Sequence, residues 1–536
     1  MRQNFRRVAL PREHQAAAKT KTFPAPTRGW ITNENLAAPK KKGFGATVLE
    51  NWFPTTTGIR LRGGASKVAT IGSSAVKSVF SYSRGPTLKL FAAEATKVYD
   101  ISALDPDTPP SADISSQTNG YYSTAQFATA GGEFLYLVNG ADLAQLYDGS
   151  SWTQITGVSS PAITGVTTYT LSAVWSYRNR LFFVEAGGQD AWYLPVDSIG
   201  GAALQVSMAG VFKKGGDLLF GATWSLDAGD GVDDKCVFIS DLGEVAIYEG
   251  GNPADSTDWN LVGRYDIAKP LGKNAVEQAG GDLLIATIDG VVPISEAIKK
   301  DPAALTLSAV SLAIEPDWKI QARQWAAASP WELMKWPDRN MMIVSMPHTV
   351  GTNFVVNLQT GAWAKYTGWD IQSMATLSTA AYFGDSSGSI MSMEVGGKDI
   401  TSSYACRFSG LFDHLGAVGA HKNVTMARGT FISNAPFTPK ISITTDYGTT
   451  FPPAPMAVVD GSIDAIWDTG VWDTSKWDDA SSETSQKVTV STRWRSIAKT
   501  GFAIAPQVQV TVGNNRKPDA EFVAVDLLYE AGGTVV

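Results

Sequence analysis

The sequence predicts a mainly β protein: a β-propeller of about six or seven blades, with a helical insertion and a C-terminal β-sandwich-like domain. Three observations lead there. Short apolar runs are broken every few residues by Gly, Asp, Ser or Thr, with no helical period. Seven similar strand-turn-strand units start at 88, 134, 181, 237, 283, 341 and 381, an interval typical of propeller blades. Past residue 400 several strands alternate more cleanly, as in a sandwich.

Taken in order, residues 1–64 form a basic N-terminal arm and a first strand. The arm is rich in Pro, Lys and Ala. Pro54 then restricts helix, and Ile59-Arg60-Leu61-Arg62 alternates like a strand that stops at Gly63-Gly64. Residues 65–400 form the propeller. Its hairpins include LKLFAAEATKVYDIS, FLYLVNGADLAQLYDG, LFFVEAGGQDAWYLPV, VFISDLGEVAIYEG and LLIATIDGVVPIS. MMIVSM…NFVVNL and AYFGDSSGSIMSME complete the series. A single blade cannot bury both faces, so neighbours must stack radially. In Asp385-Ser386-Ser387-Gly388 the polar side chains close the turn and Gly takes a positive φ. Trp152, Trp259 and Trp363 each mark a further strand after a hairpin. Near 296–325 the pattern turns helical: Asp301-Pro302 reads as a start signal, and Leu305, Ala309 and Leu312 follow at i, i+4, i+7. Residues 401–536 form the C-terminal β domain, with strands in GTFISNAPFTPKISITTDYG, VTVSTRW, QVQVTVG and FVAVDLLYE.

The 536 residues are 44% hydrophobic and 18% charged, a composition that supports a large core. Net charge is −7, unevenly spread. Residues 1–42 carry ten basic and two acidic residues, and the other 34 basic and 49 acidic residues give the body −15. Such an arm suits an acidic surface or nucleic acid, or is simply solvated. Two cysteines, Cys236 and Cys406, cannot build a disulfide framework. MRQNFRRVALPREH lacks the apolar core of a secretion signal, and no run of about 18 apolar residues predicts a membrane span.

Catalytic and metal signatures are weak. The four histidines are His14, His348, His414 and His421, and none sits at ligand spacing with Cys or another His. No nucleophile elbow, phosphate loop or zinc-protease motif occurs. Paired carboxylates for glycoside cleavage are a spatial feature that spacing does not reveal. The acidic stretch Asp227 to Asp234 has Gly229 and Gly231 where a calcium loop needs carboxylates, and Phe238 where it needs Glu, so it reads as a solvated loop. Trp467, Trp472 and Trp477 recur every five residues, each followed by Asp. That period fits neither helix nor strand, so they read as interface anchors packed on their own or a neighbouring subunit.

Five stretches carry a family likeness: ENWFPTTTGIRLRGGA, NLQTGAWAKYTGWD, YFGDSSGSIMSME, WRSIAKTGFAIAPQVQVTV and VAVDLLYEAGG. In texture and order, from roughly Asn51 to Gly533, the chain resembles the tail nozzle proteins of short-tailed bacteriophages, also called tail tubular protein B. The resemblance implies a structural virion protein of the tail, assembled in the host cytoplasm. It implies a homohexameric ring below the tail adaptor ring, with fibres or spikes around it. That ring retains packaged double-stranded DNA and then passes it without sequence preference. It implies no enzymatic activity, no cofactor and no metal. An acidic body agrees with a conduit, because basic walls would hold phosphates by counterion release. The rival expectation is a propeller-based tail protein that binds or cleaves carbohydrate, since the fold hosts both.

Overall fold

The computed structural model describes residues 18–34, 45–225, 234–327, 331–347, 351–434, 437–457, 488–514, 517 and 519–534. Within them the protein is mainly β, built as a propeller joined to a sandwich.

Six blades are self-contained antiparallel sheets. Blade 1 runs through Ser78–Arg84, Thr87–Ala93, Val98–Asp100 and Ala112–Ile114. Blade 2 spans Ser123–Thr129 to Trp152–Gln154, blade 3 Leu171–Tyr177 to Leu204–Ser207, and blade 4 Leu218–Trp224 to Asn260–Asp266. Blade 5 has three strands, Val276–Ala279, Asp282–Thr287 and Gly290–Pro293. The last blade joins Ser373–Leu377, Ala380–Gly384 and Ser389–Met393 to Ala65–Thr70 from the start of the propeller. That outer strand, in register Ser389↔Thr70 to Met393↔Ala65, fastens the circle.

One sector, between blade 5 and the last blade, is filled differently. Strands Glu332–Trp336, Met341–Ser345, Thr352–Asn357 and Trp363–Thr367 are half of an eight-stranded sheet. Its other half, Ala46–Glu50, Tyr404–Gly410, Ile504–Val512 and Lys440–Thr445, belongs to the sandwich. The radial core is continuous through this sector: Met342, Val344 and Phe354 pack with Leu284 and Ala286 of blade 5. On the other side, Met341, Ile343 and Val355 pack with Met374 and Phe383 of the last blade.

All seven sequence-predicted hairpins are present, but each is the second and third strand of its sector. The innermost strand precedes it and was not predicted. Those strands, such as SVFSYSR, STAQFAT and LSAVWSY, present Ser, Thr and Gln to the propeller axis, and this blurs the apolar alternation. The Asp385 turn forms as expected. Its carboxylate accepts the Ser387 and Ser389 N–H groups at 2.9 and 2.8 Å, and Gly388 has φ +85°.

The helical insertion is present but is broken rather than a single helix. Short helices Ile294–Ala297 and Pro302–Leu305 lead through 3-10 turns Thr306–Ser308 and Val310–Ile314 into helix Glu315–Trp325. Ala309 is extended (ψ 136°), so Leu305, Ala309 and Leu312 do not share one helical face. Short polar side chains that compete for backbone partners favour such breaks. The Ser311 Oγ accepts the Val291 N–H at 2.9 Å. The insertion thereby covers the outer edge of blade 5 where a fourth strand would lie. Trp318 and Trp363 anchor it, donating their indole N–H groups to Thr287 O and Val310 O, both at 2.9 Å.

The sandwich is built from both ends of the chain. Its second sheet pairs Ala420–Ser433 with Ala520–Thr534, 14 and 15 residues long. Lys19–Pro24 pairs with the latter at Lys19↔Tyr529. Trp52–Pro54, Ile59–Leu61, Val488–Ser491 and Arg495–Gly501 complete it. The predicted arm and first strand therefore supply strands to this module. Nine tryptophans, Trp52, Trp318, Trp331 and Trp369 among them, are buried. More than half of the tryptophan surplus thus serves the interior rather than an intersubunit surface.

Candidate functional site

A polar concavity lies on the propeller axis. It has a volume of about 500 Å³ and is lined by the inner strands of all seven sectors, including Ser78, Ser123, Trp175, Gly221, Glu277, Glu332 and Ser373. A space of that size suits a small molecule. It does not admit duplex DNA, whose major groove alone is about 12 Å wide.

A relay of hydrogen bonds passes from blade to blade around this axis. Ser78, Ser123 and Ser373 each open an inner strand, and each hydroxyl accepts an N–H from the next blade. Ser373 Oγ accepts Val79 N–H at 2.9 Å, Ser78 Oγ accepts Tyr122 N–H at 2.9 Å, and Ser123 Oγ accepts Val174 N–H at 3.1 Å. Glu332 opens the shared sector's inner strand and takes the same role, its Oε2 accepting Met374 N–H at 2.9 Å. A Ser or Glu at the start of an inner strand was the available signal, but those strands themselves were not recognised.

Lys273 and Asn274 brace the axis from the opposite side. Lys273 Nζ donates to Tyr121 O at 3.0 Å and Ser172 O at 2.9 Å, and lies 5.1 Å from the Tyr121 ring centroid. Asn274 Nδ2 donates to Tyr122 O at 3.3 Å and to Glu332 Oε1 at 3.4 Å. Burial pulls Lys273 down to about 7, against the attraction of Glu332. Burial pushes Glu332 up to about 7, opposed by the Met374 N–H, Asn274, Ser373 and Lys273. Glu277 is likewise pushed up to about 7 by burial, opposed by the Lys335 backbone N–H. Both Glu332 oxygens are engaged by the frame, so this carboxyl holds sectors together.

A second polar centre joins propeller and sandwich. Arg62 is fully buried. Its guanidinium forks onto Asp399 at 2.9 and 2.6 Å and donates to Asn51 Oδ1 (2.8 Å), Gly63 O (2.8 Å) and Thr367 O (3.0 Å). It also stacks on Tyr404 at 3.8 Å and on Trp369 at 4.7 Å. Beside it, Arg60 and Lys517 hold Glu394 at 2.7 and 3.4 Å. Burial alone would raise the Glu394 carboxyl, but Arg60 and Lys517 outweigh it and hold the group well below the usual carboxylate range. Gly64 explains the end of the motif: a Cβ there would sit 1.9 Å from Lys398 O. The sequence displayed Arg60 and Arg62 only as an alternating strand. Two arginines between apolar residues, closed by Gly-Gly, are the readable trace of this clamp.

The other sequence candidates fall elsewhere. Trp467, Trp472 and Trp477, residues 227–233, His14 and His348 lie outside the described residues. Asp234 accepts the Ser225 hydroxyl at 2.7 Å. His414 Nδ1 donates to Phe502 O at 3.2 Å, with Nε2 3.1 Å from the Tyr447 hydroxyl, and His421 packs edge-on to Phe502. Cys236 and Cys406 are buried free thiols. Among the described residues no three His, Cys, Asp or Glu side chains are grouped to hold a metal ion, and no helix is long and apolar enough to cross a membrane.

Fold and axial site together define a β-propeller protein. No family model matches the chain, and no curated protein matches it. Solved structures match at low identity. The computationally designed Ika8 protein is 12% identical, covers 62% of this chain and 100% of its own, and has a TM-score of 0.34. YCF48 from Cyanidioschyzon merolae is 11% identical over 62% of this chain and 99% of its own, TM-score 0.38. BBS1N, from its complex with ARL6DN, is 10% identical over 65% of this chain and 97% of its own, TM-score 0.38.

Proposed function

We propose that this chain is a structural subunit of a phage tail nozzle, a ring that retains packaged DNA and serves as its channel during ejection. One observation carries the reading: the stretches on which the family resemblance rests converge on one three-dimensional unit. ENWFPTTTGIRLRGGA, NLQTGAWAKYTGWD and YFGDSSGSIMSME meet at the Arg60–Arg62 clamp through Asn51, Thr367, Trp369 and Glu394. The two C-terminal stretches lie in the adjoining sheets, with Leu527↔Ala427 and Val508↔Phe408 in register. A resemblance concentrated at the joint between two modules supports a shared mechanical scaffold rather than a shared reactive site.

The axial cavity refines the proposal. Duplex DNA cannot follow the propeller axis, so its route lies between copies arranged around a common lumen. The purified chain should form a closed hexamer of about 340 kDa, six times the 57.1 kDa chain mass. Light scattering coupled to size exclusion, with images of the same fraction, reads this directly. A monomer at every concentration, or a ring with no central bore, overturns the proposal.

One observation favours the carbohydrate reading: Glu277 and Glu332, both raised to about 7, line one polar cavity. Polysaccharide cleavage abolished by Glu277→Gln, in a chain that stays folded, would establish it in place of the nozzle.

A further inference from the structure

Beside the sandwich lies a groove of about 790 Å³, lined by Phe431, Phe437, Val490, Trp494, Arg493 and Arg495. It opens along the strand run Val488–Ser491 and Arg495–Gly501. That run pairs with Ala420–Ser433 on one side and, among the described residues, with no strand on the other. From Val488 to Gly501 the chain has three basic residues, Arg493, Arg495 and Lys499, and no acidic one. None of the three makes an ion pair with a described residue, whereas Arg428, 5.0 Å over the Trp494 ring, is already paired with Asp526 at 2.8 Å. Val490 is 43% exposed within the groove. An apolar floor with an uncompensated basic rim, in a chain of net charge −7, is a surface built for an acidic, aromatic partner.

The same chain carries that partner. Between Asp460 and Glu483, outside the described residues, the sequence holds seven acids and one lysine. Three Trp-Asp pairs lie within it: Trp467-Asp468, Trp472-Asp473 and Trp477-Asp478. Each offers an indole for the apolar floor and a carboxylate for a guanidinium, the residue types that dominate interface energetics. A closed ring needs two different, complementary surfaces on every copy. We propose that residues 460–483 of one copy dock in the Phe437–Trp494 groove of the next copy. This rests on the ring reading above and names the contact that closes it.

The test uses two full-length variants. One replaces the segment's anchors (Trp467→Ala, Trp472→Ala, Trp477→Ala), and the other reverses the rim (Arg493→Glu, Arg495→Glu) at exposed positions. Circular dichroism checks that each is folded. The wild type should run as a ring and each variant alone as a monomer. An equimolar mixture should give a dimer and nothing larger, because only one intact contact remains per pair. Rings that persist in either variant overturn the docking and leave the ring reading standing. A mixture that stays monomeric assigns the groove to its own chain's segment and also overturns the docking. A wild type that is monomeric sinks the ring reading, and the docking with it. Raising NaCl from 0.05 to 0.5 M should weaken wild-type assembly at least tenfold if the rim charges act as proposed; a salt-independent ring opposes it.

Discussion

Replacing the buried Arg62 by Met should loosen the joint between propeller and sandwich. The substitution keeps the aliphatic stem but removes the fork that holds Asp399, Asn51, Gly63 and Thr367. Breaking one side of a buried ion pair costs about 3–5 kcal/mol, largely because the remaining charge loses its partner. Asp399 retains the Trp369 indole N–H at 3.0 Å, and its side chain is 15% exposed, so the lower end applies, about 3 kcal/mol. With a urea dependence of about 3 kcal/mol per molar for the affected transition, its midpoint should fall by about 1 M. Tryptophan fluorescence is a suitable reporter, because Trp369 lies 4.7 Å from the guanidinium. The double variant Arg62→Met, Asp399→Leu should recover most of the loss, since two apolar groups leave no stranded charge. A midpoint within about 0.2 M of wild type for Arg62→Met would refute the clamp.

Two further outcomes follow from the axial site. The folded-state pKa of Glu277 and Glu332 is raised from 4.5 to about 7, so their contribution to stability is complete below pH 4.5 and declines as pH rises to 7. Lys273 is lowered from 10.5 to about 7, so between those values the unfolded chain binds the extra proton and stability climbs with pH. Urea midpoints measured from pH 5 to 10 should therefore dip near neutrality, and Lys273→Met should lack the alkaline rise; an unchanged alkaline limb in that variant contradicts the assignment. Separately, Ser78→Ala leaves the Tyr122 N–H without its acceptor and should cost about 1–3 kcal/mol, whereas the exposed Ser83→Ala should cost under about 0.5. Thermal melts compare the two, and equal losses would remove the relay's special standing.

Much of the architecture was legible because blade hairpins are apolar on both faces and end in Gly or Asp turns. Met341–Ser345 and Thr352–Asn357 are almost wholly buried, so their pattern survives in the sequence. The inner strands were not legible, since one side of Ser123–Thr129 meets the polar axis. The helical insertion was legible, but spacing alone does not register the extended residue at Ala309 that interrupts it. The axial site was invisible: Tyr121, Lys273 and Glu332 are brought together only when the ring closes. The clamp was half visible, as an Arg-rich strand whose partner Asp399 lies 337 residues away. The sandwich showed its C-terminal strands but not the N-terminal ones inserted among them, which only the register with Ala520–Thr534 reveals.

The strand Ala65–Thr70 that fastens the propeller, and Lys19–Pro24 before it, have consequences for biosynthesis. At about 5–20 residues per second, ribosomes take roughly 25–100 s to make the five hundred residues separating Lys19 from Tyr529. Throughout that time Lys19–Pro24 lacks its partner strand, and bare strand edges invite pairing with other nascent chains. Tying Lys19–Pro24 to Ala520–Thr534 in one sheet makes the sandwich depend on segments about five hundred residues apart. It also means that a product truncated before Ala520–Thr534 cannot complete the module.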